Sequence, residues 1–144
     1  MSIFTIKIAD IPVQICSFHD EIKSLCQDFL TDDNPLFSII SSRNEINLEK
    51  MRSNKNNRVS RYSDSLLEFL SIHRRLSDKL TEFNTILMHG SSISMDGVGY
   101  IFIADSGIGK STHARNWLEH FKGSAKSIND DKPYIRYLNA LSTT

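Results

Sequence analysis

The sequence predicts an α/β fold in which a mixed sheet carries a glycine-rich loop, preceded by a small α+β segment. Near the N-terminus apolar and polar residues alternate, as in half-buried strands, and the pattern then changes to helical spacing. All six glycines of the 144-residue chain lie between Gly90 and Gly123, so tight backbone turns are concentrated in the second half. There an apolar strand at Tyr100–Ile103 precedes a glycine-rich loop and a helical pattern.

The first 40 residues predict two strands, a helix and a third strand. The segments FTIKI and IPVQI alternate in polarity and are predicted to join through Ala9 and Asp10. From Phe18 to Leu30 the apolar residues follow helical spacing. Pro35 ends this helix because proline disfavours helical backbone at the residue before it, and LFSII then predicts a strand. With the stretch that follows, these elements form the predicted N-terminal segment, residues 1–60.

The stretch from Ser41 to Arg61 is polar and carries six basic residues against two acidic ones. It is either a solvated connector or a basic surface that docks a substrate, and its composition favours the connector. The clearest helix follows, in a unit predicted to span residues 61–144, and Ser65 and Glu68 have the spacing of a capping box. Its predicted apolar face consists of Leu66, Phe69, Leu70, His73, Leu76, Leu80 and Phe83.

Composition restricts the class of function. The 17 basic and 17 acidic residues give no net charge, which argues against nucleic acid or an anionic membrane as the partner. No apolar run approaches the ~18 residues of a membrane span. Lys7 and Asp10 interrupt the place where a signal peptide needs its apolar stretch, so we expect a cytoplasmic protein. In that compartment the two cysteines are expected to be free thiols.

The glycine-rich loop, Ala104 to Ser111, has the phosphate-binding pattern of a small residue, four free positions and then Gly-Lys-Ser. Its context agrees with this interpretation. Strands are predicted at Thr85–Met88 and Ser92–Met95, with a turn at Asp96-Gly97 before the strand that enters the loop. The helix after the loop has apolar residues at Ala114, Trp117, Leu118 and Phe121. The alternative is a glycine turn that only caps this helix.

A loop of this kind binds a polyphosphate mainly through its backbone N–H groups and the positive end of the helix dipole. Lys110 is expected to contact the β- and γ-phosphates of ATP, and the Ser111 hydroxyl is suited to Mg²⁺. The predicted nucleotide contacts are Ser106, Gly107, Ile108, Gly109, Lys110, Ser111 and Thr112.

An acidic pair, Asp130-Asp131, lies twenty residues beyond Lys110, about the length of one crossover helix and a returning segment. One carboxylate is expected to bind Mg²⁺ while the other accepts the proton of the phosphoryl acceptor. The preceding GSAKSIN is too polar for the apolar strand that leads to this acidic residue in common P-loop NTPases. The alternative is a pair of exposed acids in a surface turn.

The segments LMHGSSISMDGVGYIFIADSGIGKST and INDDKP together resemble the catalytic domain of the HPr kinase/phosphorylase-like family, which is related in fold to ATP-dependent phosphoenolpyruvate carboxykinase. The resemblance covers residues 85 to 136. It implies a P-loop-containing mixed sheet and transfer of the γ-phosphoryl group of ATP to a serine of a protein or peptide. It also implies that His89 lies near the transferring phosphate, and that Ser111 and Asp130 or Asp131 bind Mg²⁺.

The chain departs from the family pattern at two points. Thr112 replaces an acidic residue, so HPr itself is a doubtful acceptor. The sequence also stops at YLNALSTT, shortly after Arg136, whereas family members continue with further strands and helices, so the resemblance predicts a sheet that is incomplete at the C-terminus. Two alternatives therefore remain open: a truncated nucleotide-binding module without catalysis, and a carboxykinase-like phosphotransferase acting on a small metabolite. Relatives of this family often assemble, so a homo-oligomer is a further expectation.

Overall fold

The computed structural model describes residues 1–55 and 62–138, which have a mixed α/β fold, as the sequence predicted. These residues form small sheets and four helices, one helix more than predicted, and the sheet that carries the glycine-rich loop is antiparallel rather than mixed. These residues form two compact units, Met1–Phe83 and a second that begins at Asn84. The sequence predicted a division at residue 60. The structure divides later because the helix after that point packs against elements of the first unit. In the described part of the chain, no helix combines the length and apolar composition needed to cross a bilayer.

The sheet of the first unit has the order β1–β2–β3. Strand β1 (Ser2–Ile8) pairs antiparallel with β2 (Ile11–Ser17), and β2 pairs parallel with β3 (Phe37–Ile40). Ala9 and Asp10 form a two-residue turn with positive φ angles of 48° and 62°, as a tight hairpin requires. All three strands were predicted. The side chains that they bury are Phe4, Ile6, Ile8, Ile11, Val13, Ile15, Cys16, Ser17 and Ile39.

The predicted helix between β2 and β3 is shorter than expected. Helix α1 covers Glu21–Leu25, and a 3₁₀ turn follows at Gln27–Phe29. The helix ends at Cys26, whose ψ of 9° departs from helical geometry. Leu30 then forms an isolated bridge with Ile6 of β1. Pairing with the edge of the sheet therefore stops the helix before Pro35 is reached.

The stretch predicted as a connector is a helix instead. Helix α2 covers Arg43–Lys55 and begins beside Ser42, whose Oγ accepts a hydrogen bond from the Glu45 amide. The prediction was wrong because α2 has few apolar residues and therefore lacks the pattern of an amphipathic helix. Of the two residues that it buries, Ile46 and Glu49, one is charged. Residues 56–61 of the predicted connector lie outside the described residues.

Helix α3 (Asp64–Leu80) packs against α2. Its N-cap is Ser63, which accepts a hydrogen bond from the Leu66 amide at 3.2 Å, so the predicted capping box at Ser65 is wrong. The buried face is also shifted by one residue from the predicted one at several positions. It consists of Leu67, Glu68, Ser71, Ile72, Leu76 and Leu80.

A buried carboxylate joins α2 to α3. Glu49 Oε1 lies 2.5 Å from Arg74 Nε and 2.7 Å from Arg52 Nη1, while Arg74 Nη2 contacts Oε2 at 3.2 Å. The hydrogen bond from Arg74 is the main reason that the pKa of Glu49 lies below its ordinary value, and Arg52 adds to it. A helix with little apolar surface is thus held by a paired charge.

A second buried carboxylate, Glu68, joins α3 to the end of β2. It is 0% exposed and accepts hydrogen bonds from the Phe18 amide at 2.7 Å and the His19 amide at 3.1 Å. His19 Nδ1 lies 2.5 Å from the same carboxylate. Burial raises the pKa of Glu68, but the Ser41 hydroxyl and these donors outweigh it, so the pKa lies below its ordinary value.

Replacing Glu68 by glutamine is expected to destabilise the first unit by about 1–3 kcal/mol, because an amide NH₂ would face a backbone N–H donor in place of a carboxylate oxygen. Because its folded-state pKa is lowered, Glu68 stabilises the fold above its unfolded pKa of about 4.3, and this contribution is lost as the pH falls through the lowered value. Urea unfolding of both proteins, followed by circular dichroism at pH 7 and at pH 3, tests this.

The matched control for Glu68 is Glu82→Gln, because Glu82 is exposed and pairs with Lys79 at the surface. A loss of stability equal to that of the control, or a difference from wild type that does not shrink at low pH, would contradict the role assigned to Glu68.

Residues 84–138 of the second unit form two small sheets and one helix. The elements are β4 (Thr85–Leu87), β5 (Ser91–Met95), β6 (Val98–Phe102), α4 (Lys110–His120), β7 (Ala125–Asn129) and β8 (Tyr134–Arg136). The larger sheet has the order β6–β5–β7, all antiparallel, and the smaller one pairs β4 with β8. Asp96 and Gly97, with φ angles of 52° and 78°, form the predicted turn between β5 and β6.

Helix α4 packs its aromatic side chains against β6. The ring of Trp117 lies 5.1 Å from that of Tyr100 and 5.5 Å from that of Phe102. Strand β7 occurs where the sequence is polar, and three consecutive residues, Lys126 to Ile128, are exposed on it. Its pairing with β5 shifts register between Ser92 and Ile93, which marks a bulge.

Candidate functional site

The topology of the β6–β5–β7 sheet brings three chain segments to one end. Because β5 is antiparallel to both neighbours, the C-terminal ends of β6 and β7 lie beside the N-terminal end of β5. The glycine-rich loop follows β6, the acidic pair follows β7, and His89 and Gly90 precede β5. Residues far apart in sequence are therefore placed together by strand direction alone.

The glycine-rich loop ends at the start of α4. Gly107 has a φ of 86°, and Gly109, the N-cap of α4, has a φ of 101°. A Cβ at Gly107 would meet nothing within 4 Å, and one at Gly109 would lie 4.0 Å from Thr112 Cβ, an ordinary contact, so the backbone angles rather than crowding require glycine here. No side chain caps the helix, and the first helical bond runs from the His113 amide to Gly109 O. The amides that begin α4 are thus available to an anion.

Lys110 folds back over this loop. Its Nζ donates to Ala104 O at 2.9 Å and to Asp105 O at 3.2 Å. The side chain is partly exposed, and neither acceptor carries a formal charge. An anion beside the loop would compete well for this ammonium group, because charged acceptors bind it more strongly than neutral carbonyls.

The Ser111 hydroxyl lies beside the backbone of the acidic pair. Ser111 Oγ is 3.5 Å from Asp130 O and 3.4 Å from the Oγ of Ser91, a fully buried serine. Ser91 Oγ in turn lies 3.0 Å from Asp130 O. The first turn of α4, the start of β5 and the end of β7 are joined through these three groups.

Asp131 lies between a histidine and a lysine. Its Oδ1 is 3.4 Å from His89 Nε2, and its Oδ2 is 3.0 Å from Lys132 Nζ. The pKa of Asp131 is below its ordinary value, first because of the hydrogen bond from Lys132 and then because of the charges of Lys132, His89 and Lys110. The carboxylate is 66% exposed and therefore accessible to a substrate.

Backbone hydrogen bonds hold the acidic pair in this position. The Gly90 amide donates to Asp131 O and the Met88 amide to Pro133 O, both at 2.9 Å. Asn129 Oδ1 accepts from the amides of Asp131 and Lys132 at 2.9 and 2.7 Å, which forms a tight Asx turn. Asp130 and Asp131 are both exposed and lie in a surface turn that these bonds anchor.

The remaining predicted residues lie around this group. Ser106, Thr112 and Ile108 are exposed, and Ile108 is 73% exposed at the tip of the loop. His113 packs edge-on against Phe102, with ring centroids 4.6 Å apart, so it stabilises the helix–sheet contact.

Sequence reasoning missed three residues of this group: Ser91, Asn129 and Lys132. Lys132 directly follows the acidic pair in the sequence, so its position alone could have identified it. The role of Ser91 depends on sheet topology, and no local pattern signals it.

The chemistry of the donor set fits Mg²⁺. Within residues 1–55 and 62–138, no three His, Cys, Asp or Glu side chains form a group able to hold a metal by themselves. A hydroxyl and one or two carboxylates are instead what a protein supplies when phosphate oxygens complete the coordination of Mg²⁺. Ser111 offers the hydroxyl, and the acidic pair, whose Asp130 backbone oxygen lies 3.5 Å from Ser111 Oγ, offers the carboxylates.

No protein-family model, curated protein or solved structure was found to match the chain. The functional assignment therefore depends on the geometry and chemistry of the residues described above.

Replacing Gly90 by alanine is expected to destabilise the second unit by about 1–3 kcal/mol through overpacking. A Cβ at Gly90 would lie 2.8 Å from Phe102 O and 3.3 Å from Ile101 Cγ2, so strands β5 and β6 would have to separate. Unfolding followed by Trp117 fluorescence measures the effect, since this tryptophan lies in the second unit.

Gly99→Ala is the matched control for Gly90. Gly99 lies in β6, and a Cβ there would meet nothing within 4 Å. We expect this variant to match or slightly exceed the wild type in stability, because alanine reduces the freedom of the unfolded chain. Equal destabilisation by both substitutions would contradict the close approach at Gly90.

Proposed function

We infer that the second unit binds ATP with Mg²⁺ and transfers the γ-phosphoryl group to a serine hydroxyl of a protein or peptide. The observation that carries this inference is the convergence of His89, Lys110, Ser111 and the acidic pair at one end of the sheet. The order of these segments along the chain supports the finer description of the fold as a P-loop sheet of the HPr kinase/phosphoenolpyruvate carboxykinase type.

The phosphates are held by the start of α4. The amides of Lys110, Ser111 and Thr112 have no acceptor within the helix and point toward its N-terminal end. Lys110 adds a formal positive charge on a side chain already folded over the loop. These groups bind and orient the polyphosphate. Positioning of the phosphates, together with neutralisation of their charge, is the main source of catalysis in phosphoryl transfer.

Ser111 and Asp130 would hold the metal. The Ser111 hydroxyl, in the first turn of α4, lies 3.5 Å from the backbone oxygen of Asp130, which follows β7. Mg²⁺ would supply neutralisation of the phosphate charge.

The acceptor hydroxyl is activated by Asp131. Its lowered pKa keeps this carboxylate ionised at neutral pH, and its exposure allows a serine hydroxyl to approach. His89 lies on the other side of the Asp131 carboxylate and orients it. Its imidazole ring would also place an N–H donor near the transferred phosphoryl group. The neighbouring Lys132 stabilises the ionised form, so Asp131 accepts the proton as a base of low intrinsic strength.

A carboxykinase-like reaction on a small acid is less well supported. Such a substrate requires several arginines around its carboxylate and phosphate groups. Between residues 84 and 138 the chain has Arg115 on α4 and Arg136 on β8, and neither lies in the segments that form the site.

The test of the proposed function is calorimetric titration of the full chain with ATP, with and without Mg²⁺, followed by a transfer assay with γ-labelled ATP. The acceptors are a pool of serine-containing peptides and the same pool with serine replaced by alanine. Mg²⁺-dependent binding and label on the serine pool alone support the proposal. Binding without label on any peptide or on the chain favours the nucleotide-binding module. Absence of ATP binding by the folded chain overturns the proposal.

A further inference from the structure

Ser91 lies where the three segments of the site meet. It is the first residue of β5, it is 0% exposed, and its hydroxyl contacts groups from both neighbouring segments. Ser91 Oγ lies 3.0 Å from Asp130 O and 3.4 Å from Ser111 Oγ. A buried hydroxyl with two polar neighbours has little rotational freedom, so the direction of its single proton can be worked out.

The Ser91 hydroxyl donates its hydrogen bond to the backbone oxygen of Asp130. A backbone carbonyl oxygen can only accept a hydrogen bond, so Ser91 is the donor in this contact. A hydroxyl has one proton, and Ser91 must therefore be the acceptor in its contact with Ser111. The lone pairs of Ser111 Oγ are then directed away from Ser91.

This orientation suits a hydroxyl that binds a cation. A hydroxyl that offers its lone pair to Mg²⁺ keeps its proton and needs a nearby acceptor for it. Two acceptors lie within reach, Ser91 Oγ at 3.4 Å and Asp130 O at 3.5 Å, and Asp130 O can accept from both serines because it has two lone pairs. Ser91 is one of these acceptors and is hydrogen-bonded to the other. We propose that Ser91 is a positioning residue that turns the Ser111 hydroxyl toward Mg²⁺ and ties it to Asp130. This proposal rests on the proposed function of the same site.

The neighbouring serine provides a matched control. Ser92 is 3% exposed, and its Oγ donates to Asn129 O at 3.1 Å. It therefore resembles Ser91 in burial, strand and type of acceptor, but successive residues of a strand face opposite sides of the sheet. Removing either hydroxyl takes a hydrogen-bond donor from one backbone carbonyl at the end of β7. Of the two serines, only Ser91 contacts Ser111.

The experiment is ATP titration of the full chain with and without Mg²⁺, for the wild type, Ser91→Ala and Ser92→Ala. Loss of a group that orients a metal ligand typically weakens binding 10–100-fold. We expect Ser91→Ala to raise the Kd for ATP by about tenfold or more when Mg²⁺ is present, and to leave the Kd without Mg²⁺ close to that of the wild type. Ser92→Ala should leave both values unchanged. Ser91→Thr, which keeps the hydroxyl, should restore the effect of Mg²⁺.

Several outcomes would overturn the proposal. Equal effects of Ser91→Ala and Ser92→Ala, or equal weakening with and without Mg²⁺, would mean that Ser91 only stabilises the sheet. If Ser91→Ala does not fold, Ser91→Thr and Ser91→Cys replace it, and identical Mg²⁺ dependence in both, despite the weak hydrogen bonding of a thiol, overturns the proposal. A wild type that binds ATP equally with and without Mg²⁺ overturns it while leaving nucleotide binding intact. A wild type that binds no ATP overturns the proposed function as well.

Discussion

Replacing Lys110 by alanine is expected to lower the rate of phosphoryl transfer from ATP by about 10²- to 10³-fold. The ammonium group of Lys110 lies over the mouth of the glycine-rich loop, bound to two carbonyls that an anion would replace. Its charge is needed most as negative charge redistributes over the transferring phosphoryl group, so kcat should fall more than binding. Initial rates and calorimetric titration of the variant measure the two effects separately.

Lys126→Ala is the matched control for Lys110. Lys126 is an exposed lysine on β7 in the same unit, and its removal changes the net charge equally. We expect it to retain activity. If Lys110→Ala and Lys126→Ala lose activity to the same extent, the effect comes from overall charge, and the assignment of Lys110 to the phosphates is wrong.

Asp131→Asn is expected to reduce phosphoryl transfer by about 10²- to 10⁴-fold, the range associated with loss of a positioned general base. The amide cannot accept the proton of the serine hydroxyl, although it keeps the size of the side chain. The Kd for ATP with Mg²⁺ should stay close to the wild-type value, because the Asp131 carboxylate contacts His89 and Lys132 rather than Ser111. Single-turnover rates and equilibrium titration measure these quantities.

The adjacent Asp130→Asn variant should behave differently. We assign the carboxylate of Asp130 to the metal because that of Asp131 contacts His89 and Lys132, and because the backbone of Asp130 lies beside the Ser111 hydroxyl. We expect it to weaken Mg²⁺-dependent ATP binding, with a loss of transfer that excess Mg²⁺ partly restores. The reversed pattern, with Asp131→Asn weakening binding and Asp130→Asn weakening only transfer, would exchange the two assignments.

The elements around the glycine-rich loop were predictable because their signals are local. Positive φ at Gly107 and Gly109, the helix beginning at Lys110 and the turn at Asp96-Gly97 follow from residue types within a few positions. The acidic pair was found by its spacing from Lys110. Strand β7 was harder to predict, because an edge strand exposes residues that a central strand would bury.

Features that depend on distant contacts were not predictable from sequence patterns. Helix α2 has no broad apolar face, and the Glu49–Arg74 pair that holds it forms with a helix 25 residues away. Glu68 fits a capping box by spacing, yet it accepts hydrogen bonds from Phe18 and His19 instead. In both cases a buried charge finds partners that only the tertiary structure supplies.

The bulge in the β5–β7 pairing lies on β7, because Ser92 pairs with Asn129 and Ile93 with Ser127, so Ile128 is the extra residue. Strand β5 itself pairs with β6 in a regular register. Side chains alternate between the two faces of a strand, so adding or deleting one residue in β5 would exchange the faces of Ser91 and Ser92. The same change would turn Ser91 away from Ser111 and shift Gly90, whose amide donates to Asp131 O. At this strand end, an insertion or deletion of one residue would therefore be more damaging than most substitutions.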